Sequence, residues 1–201
     1  MSLLNAWITP QEAIVAVDTD GIGPDGQRMP SSKLMYVPHA NAVLAVRGQY
    51  AALKLVFLQA LNLETFDDLA DALPDLAQAS EMAMPGSVLV EGVAAGNEFV
   101  AVGWSDRLQR MVGRQCVRRG DMPEYTAVEI DRHISPWGEW ASGITPVPQA
   151  VGDIARAQVA WMERTFPNAA CGGNLLVASL GRDSLMIRRV EDFFQERRLA
   201  A

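Results

Sequence analysis

The order of patterned segments predicts a four-layer α/β/β/α sandwich of the mixed α and β class, two antiparallel sheets packed together with helices outside. Three observations carry this. Strand-like segments fall into groups: four at the start, more after residue 86, and a final hairpin. A pair of helical segments separates the first group from the second, and one long helix precedes the last hairpin. No internal repeat or linker interrupts the 201 residues, so 1–201 reads as one domain of ordinary size.

Leu3 to Thr9 and Glu12 to Asp18 are rich in β-formers around a short Pro10-Gln11 turn, and predict a hairpin. In the second strand Ile14, Ala16 and Asp18 alternate with Ala13, Val15 and Val17. Both faces are largely apolar, so this strand is expected to be covered on both sides. Gly21 to Pro30 holds three glycines and two prolines and predicts an irregular loop. Lys33 to Val37 and Ala42 to Val46 then form a second strand pair around Pro38 to Asn41.

From Gln49 the apolar period lengthens. Tyr50, Leu53, Val56, Phe57, Ala60 and Leu61 share one helical face, beginning just after Gly48. Thr65 and Asp68 have the spacing of a helix N-cap, and Leu69, Leu73 and Leu76 continue that helix. Pro74 inside it predicts a kink or two short helices. Ser87 to Ala95 and Glu98 to Trp104 read as strands around a Gly96-Asn97 turn, followed by Arg107 to Val117 and Thr126 to Ile130. His133 to Pro148, with Trp137, Trp140 and several Gly and Pro residues, reads as a loop. Gln149 to Thr165 is helical, with Val151, Ile154, Ala155, Gln158 and Met162 aligned. Asn174 to Leu180 and Leu185 to Val190 form the last hairpin around Gly181 to Ser184, and Glu191 to Leu199 is expected to close the chain as a short amphipathic helix.

Composition narrows the function classes. The net charge is −7 and the pI about 4.8, which argues against a sequence-independent grip on nucleic acid. The late arginines, Arg114 to Arg119, Arg188, Arg189, Arg197 and Arg198, read as solvated faces or subunit contacts. Cys116 and Cys171 are too few for a disulfide scaffold. No apolar run approaches the roughly 18 residues of a membrane span and no leader precedes the first strand, so the expected compartment is the cytoplasm. Two cysteines and two histidines without close spacing make no zinc site. Gly21 to Gly26 lacks the Lys-Ser/Thr and helix of a phosphate loop. No cofactor and no metal is expected. Lys33 and Lys54 are the only lysines against fifteen arginines, so each retained lysine invites a reason.

Four short stretches resemble the proteasome β-subunit and its bacterial relatives, within the N-terminal nucleophile hydrolase superfamily. They are Ala16-Val17-Asp18-Thr19, Ser32-Lys33-Leu34, Ala45-Val46-Arg47-Gly48 leading into a helix, and Asn168-Ala-Ala-Cys171-Gly172-Gly173 before Leu175. Asp18 lies 16 residues after Ser2 and Gly48 lies 46 after it, matching that family's intervals from nucleophile to acid and to oxyanion glycine. Lys33 lies 31 after Ser2, one short of the family value. The resemblance implies a catalytic set of Ser2, Asp18, Lys33 and Gly48, a peptide or other amide substrate, and self-association into rings; it leaves open whether an ATPase partner exists. It departs from the family in a serine rather than threonine nucleophile, in Asp20 where arginine is common, and in Asn168 and Cys171, which replace the late assisting acid and serine.

The chemistry fits those residue types. A free α-amine titrates at about pH 7.7–8, so a terminal serine carries nucleophile and general base on one residue. Ser2 is small enough for ordinary excision of Met1. Lys33 beside it would lower the pKa of hydroxyl and amine, with Asp18 as counter-charge. Gly48 offers an amide in a strand-to-helix turn, where an oxyanion could be stabilised. Each residue also has a plain structural role: Ser is common at position two, Lys33 can start a strand, Asp18 can cap a turn and Gly48 can ease one. Cys171, without a nearby histidine and among apolar residues, is expected to be buried and unreactive. Two other readings stay open, a catalytically silent subunit of the same fold and a sandwich-type binding protein unrelated to it.

Overall fold

The computed structural model describes residues 2–22, 26–83, 97–118, 124–167 and 171–193. In chain order these contain β1 (Leu4–Ile8), β2 (Glu12–Asp18), β3 (Asp20–Ile22), β4 (Arg28–Pro30), β5 (Leu34–Val37), β6 (Ala42–Arg47), α1 (Tyr50–Ala60) and α2 (Phe66–Met82). There follow β7 (Glu98–Ser105), β8 (Arg110–Val117), β9 (Thr126–Ile130), β10 (Arg132–Ser135), α3 (Val151–Thr165), β11 (Asn174–Gly181) and β12 (Ser184–Asp192). One antiparallel sheet has the order β10-β1-β2-β11-β12, the other β5-β6-β7-β8-β9.

Three apolar interiors separate the layers. Phe66, Leu69 and Leu73 of α2 and Leu53 and Val56 of α1 pack on Leu44, Val46, Phe99 and Ala101 of the second sheet. Val15 and Val17 of the first sheet meet Val43, Ala45, Val100 and Val102 of the second. Ile154, Ala155 and Met162 of α3 cover Trp7, Ala16, Leu175 and Val177. The expected four layers are therefore present, and β2 is buried on both faces as its alternation requires. A reciprocal amide pair fixes α3 on β1: Asn5 Nδ2 donates to Gln158 Oε1 at 2.7 Å, and Gln158 Nε2 to Asn5 Oδ1 at 3.1 Å.

Register brings one end of both sheets together. Leu4 pairs with Val17 and Ser135, and Leu175 with Asp18, so the start of β1, the end of β2 and the start of β11 lie side by side. In the other sheet Leu34 pairs with Ala45 and Arg47 with Glu98, which places Lys33, Arg47 and Glu98 at one end as well.

Several expectations need correction. Gly21 to Pro30 is not wholly irregular: β3 and β4 pair through Asp20↔Pro30 to Ile22↔Arg28 as a two-stranded ribbon. Helix α2 runs unbroken through Pro74. Burial of Phe66, Leu69, Leu73 and Ala77 along one face offsets the backbone bond that proline removes, and Thr65 and Asp68 form a full capping box at its start. His133 to Ser135, read within a loop, belongs with Arg132 to β10, which pairs with the open edge of β1, because exposed backbone groups of an edge need partners. Glu191 and Asp192 belong to β12 rather than to a final helix, of which residues 194–199 lie outside the described residues. The Ser87 to Ala95 strand and its turn through Gly96 also lie outside them.

Gly103 on β7 forms a notch for a ring: a Cβ there would stand 2.6 Å from Phe66 Cγ. Phe66→Ala should lower unfolding free energy by about 3–5 kcal/mol in urea titrations. Gly103→Ala should also destabilise, and the double variant should cost less than the two single losses summed, since each removes the other's partner.

Candidate active site

At the shared end of the sheets a carboxylate and an ammonium are buried together. Asp18 ends β2 and Lys33 immediately precedes β5, and both are almost wholly removed from solvent. Lys33 Nζ donates to Asp18 Oδ2 at 2.8 Å and also to the Asp20 carbonyl. The same Asp18 oxygen accepts the Gly172 amide at 3.0 Å, while Oδ1 accepts the Leu3 amide at 3.0 Å. Burying two charges is costly, and it is tolerated here because the carboxylate takes three donors. The ammonium has three protons, of which Asp18 and the Asp20 carbonyl take two.

Ser2 is buried beside this pair. Its carbonyl accepts Arg47 Nε at 3.1 Å. Arg47 ends β6, and the next residue is Gly48, with φ +145 in the turn before α1. A Cβ at Gly48 would lie 3.1 Å from Asn97 Cα and closer still to its side-chain oxygen. That oxygen already accepts the Gln49 amide at 2.6 Å, so the turn is held by the residue that precedes β7 and position 48 has no room for a side chain. Asp18, Lys33 and the Ser2–Leu3 peptide are thus in direct contact, and Gly48 is one residue removed from a side chain touching Ser2.

A second charged cluster sits behind Arg47. Glu98 Oε2 lies 3.3 Å from Arg47 Nη1 and accepts Ser135 Oγ at 2.8 Å. Its other oxygen accepts Gln115 Nε2 at 2.8 Å and lies 3.2 Å from His133 Nε2. Burial works to raise the Glu98 pKa. The His133 ring, the Arg47 guanidinium and the Ser135 hydroxyl overcome that and hold it at about 2.

Cys171 is buried against the pair. Burial pushes its thiol well above the usual range, the Asp18 charge adds to that, and Lys33 opposes it. The thiol therefore stays protonated and is a poor substitute for an assisting acid or base. Its backbone neighbours do more: besides the Gly172 bond to Asp18, the Gly172 carbonyl accepts the Thr19 amide at 3.1 Å. Asp20 is ion-paired with Arg28 at 2.7 Å. Asn168 lies outside the described residues. No group of ligating side chains that could hold a metal occurs among the described residues, and no described helix is long and apolar enough to cross a membrane.

Arg47 and Gly172 stand in the sequence only as neighbours of Gly48 and Cys171, and nothing in the sequence singles out Glu98. Gly172-Gly173 before a strand was the available signal. Glu98 had none, because its link to Arg47 depends on strand register.

Two sheets between helical layers, with the chain start threaded in beside a buried Asp–Lys pair, make this an N-terminal nucleophile hydrolase-like sandwich. Among solved structures it is similar to a Gly-1 mutant of Anbu from Hyphomicrobium sp. strain MC1, with TM-score 0.65 over 98% of this chain and 91% of that one. The two are 14% identical, which is a likeness of fold. No family model matches the chain, and no curated protein matches it. These findings overturn the assignment to the proteasome β-subunit family read from short motifs. The match shows the fold over nearly the whole chain, and at 14% identity it shows no more than the fold.

Removing Lys33 leaves Asp18 charged and buried. Lys33→Met should therefore cost about 3–5 kcal/mol, and adding Asp18→Asn should restore part of the loss, as read by chemical denaturation. For Glu98 the native pKa lies below its ordinary 4.5, so its contribution is complete above pH 4.5 and is lost as pH falls toward about 2. The native protein should lose about 3 kcal/mol through this group across that window, and Glu98→Gln should show a shallower decline there.

Proposed function

We propose that residues 1–201 form one hydrolase domain that cuts peptide or other amide bonds with Ser2 as an N-terminal nucleophile, in a self-associated ring in the cytoplasm. The observation that carries this is the buried Asp18–Lys33 pair bonded to the Leu3 amide, one residue from the serine. With Met1 excised, the Ser2 amine takes the hydroxyl proton through a water, and Oγ attacks the amide carbonyl carbon. The Lys33 ammonium favours the alkoxide, and the Gly48 amide donates to the tetrahedral oxyanion. Collapse breaks the C–N bond, the leaving amine receives the proton, and an ester to Ser2 remains. Water, deprotonated by the same amine, hydrolyses that ester and frees the serine. Self-association is supported by exposed apolar side chains, Leu58 and Leu61 at α1 and Met186, Ile187 and Val190 on β12.

A second reading, a catalytically silent subunit of this fold, is favoured by the protonated Cys171 thiol where assistance to the amine would be wanted. Covalent labelling separates the two. An epoxyketone or β-lactone should add one adduct per chain, mapped to Ser2, and Ser2→Ala should abolish it. A correctly folded wild-type protein that takes up no adduct at Ser2 would leave the silent reading standing.

A further inference from the structure

We infer that Arg47, braced by Glu98, is the residue that positions the N-terminal serine, an inference that rests on the hydrolase reading above. The Ser2–Leu3 peptide lies ahead of the first paired residue of β1, Leu4, so the sheet ladder does not fix it. Its two polar groups are instead held by opposite charges from the two sheets. The Leu3 N–H donates to Asp18 Oδ1 at 3.0 Å, and the Ser2 carbonyl accepts Arg47 Nε at 3.1 Å. A peptide unit is planar. Fixing its N–H and its oxygen fixes the plane and, with it, the position of Ser2 Cα. What remains for the nucleophile is rotation about the Cα–C bond and the side-chain torsion. Both contacts are charge-assisted, the stronger kind of hydrogen bond.

Arg47 is itself held. Its guanidinium sends Nε to Ser2 and Nη1 to Glu98, and Glu98 is bonded by Ser135 and Gln115 and flanked by His133. A planar fork can serve two acceptors in divergent directions, which a single ammonium at the end of a flexible stem cannot do equally well. Arg47 also precedes Gly48, so one backbone turn carries both the clamp on the nucleophilic residue and the amide assigned to the oxyanion. The spacing between nucleophile and oxyanion donor is then set by a single rigid link, and errors of about 1 Å in such spacing cost roughly a hundredfold in rate.

The test is acylation of full-length protein by a β-lactone, followed by intact mass to give kinact and KI separately. Arg47→Gln should lower kinact about ten- to hundredfold with KI within about twofold of wild type. Arg47→Lys should recover part of that loss, and Glu98→Gln should lower kinact by a smaller factor. A role confined to stability would move the melting temperature and leave kinact of the folded fraction unchanged. Wild-type kinact in folded Arg47→Gln, with wild-type protein acylated at Ser2, overturns the positioning role and leaves the hydrolase reading intact. Absence of acylation at Ser2 in wild type removes both. Should Arg47→Gln not fold, Arg47→Lys decides, and wild-type kinact there counts against the role.

Discussion

The buried pair of Asp18 and Lys33 is the constraint on which this end of the molecule depends. Two opposite charges withdrawn from water persist only where their remaining hydrogen-bonding capacity is filled. Here further partners come from three other segments: the Leu3 amide ahead of β1, the Asp20 carbonyl at the start of β3 and the Gly172 amide ahead of β11. Satisfying one ion pair therefore sets the chain start, the ribbon and the glycine turn in fixed relation. The apolar layers below supply the rigidity, since β2 is packed between Val43 and Val100 on one side and α3 on the other.

A second charged group, centred on Glu98, ties the two sheets to each other at the same end. Ser135 and His133 come from β10 of one sheet, while Arg47, Glu98 and Gln115 come from β6, β7 and β8 of the other. Arg47 belongs to both clusters through its contact with Ser2. The arrangement has a consequence for energetics: polar groups needed around the chain start are sequestered at the end of the sandwich, and the three apolar interiors contain aliphatic and aromatic side chains.

The fold was legible where local rules and packing agree. The β1–β2 hairpin, the capping box at Thr65 and the buried face of α3 all follow from periodicity and end signals within a few residues. The pairing of Lys33 with Asp18 was legible as the need of a buried ammonium for a counter-charge. Less was legible where long-range pairing decides: the three-residue strands β3 and β4 sit in a glycine-rich stretch, and β10 has no alternation of its own and forms because β1 offers an edge. Pro74 does not divide α2 into two helices, because propensity is local while the burial that keeps α2 continuous is tertiary. The Arg47–Glu98 contact spans 51 positions and follows only from register. Short motifs also overstated kinship: at 14% identity, the likeness to a solved structure is one of fold.

Everything chemical in this account turns on whether Ser2 carries a free amine. Mass spectrometry of the N-terminal peptide from the purified, assembled protein measures that directly. An N-terminal nucleophile requires a chain beginning at Ser2 with an unmodified α-amino group. A chain that keeps Met1, or one whose terminus is acetylated, has no N-terminal nucleophile and contradicts the proposed chemistry.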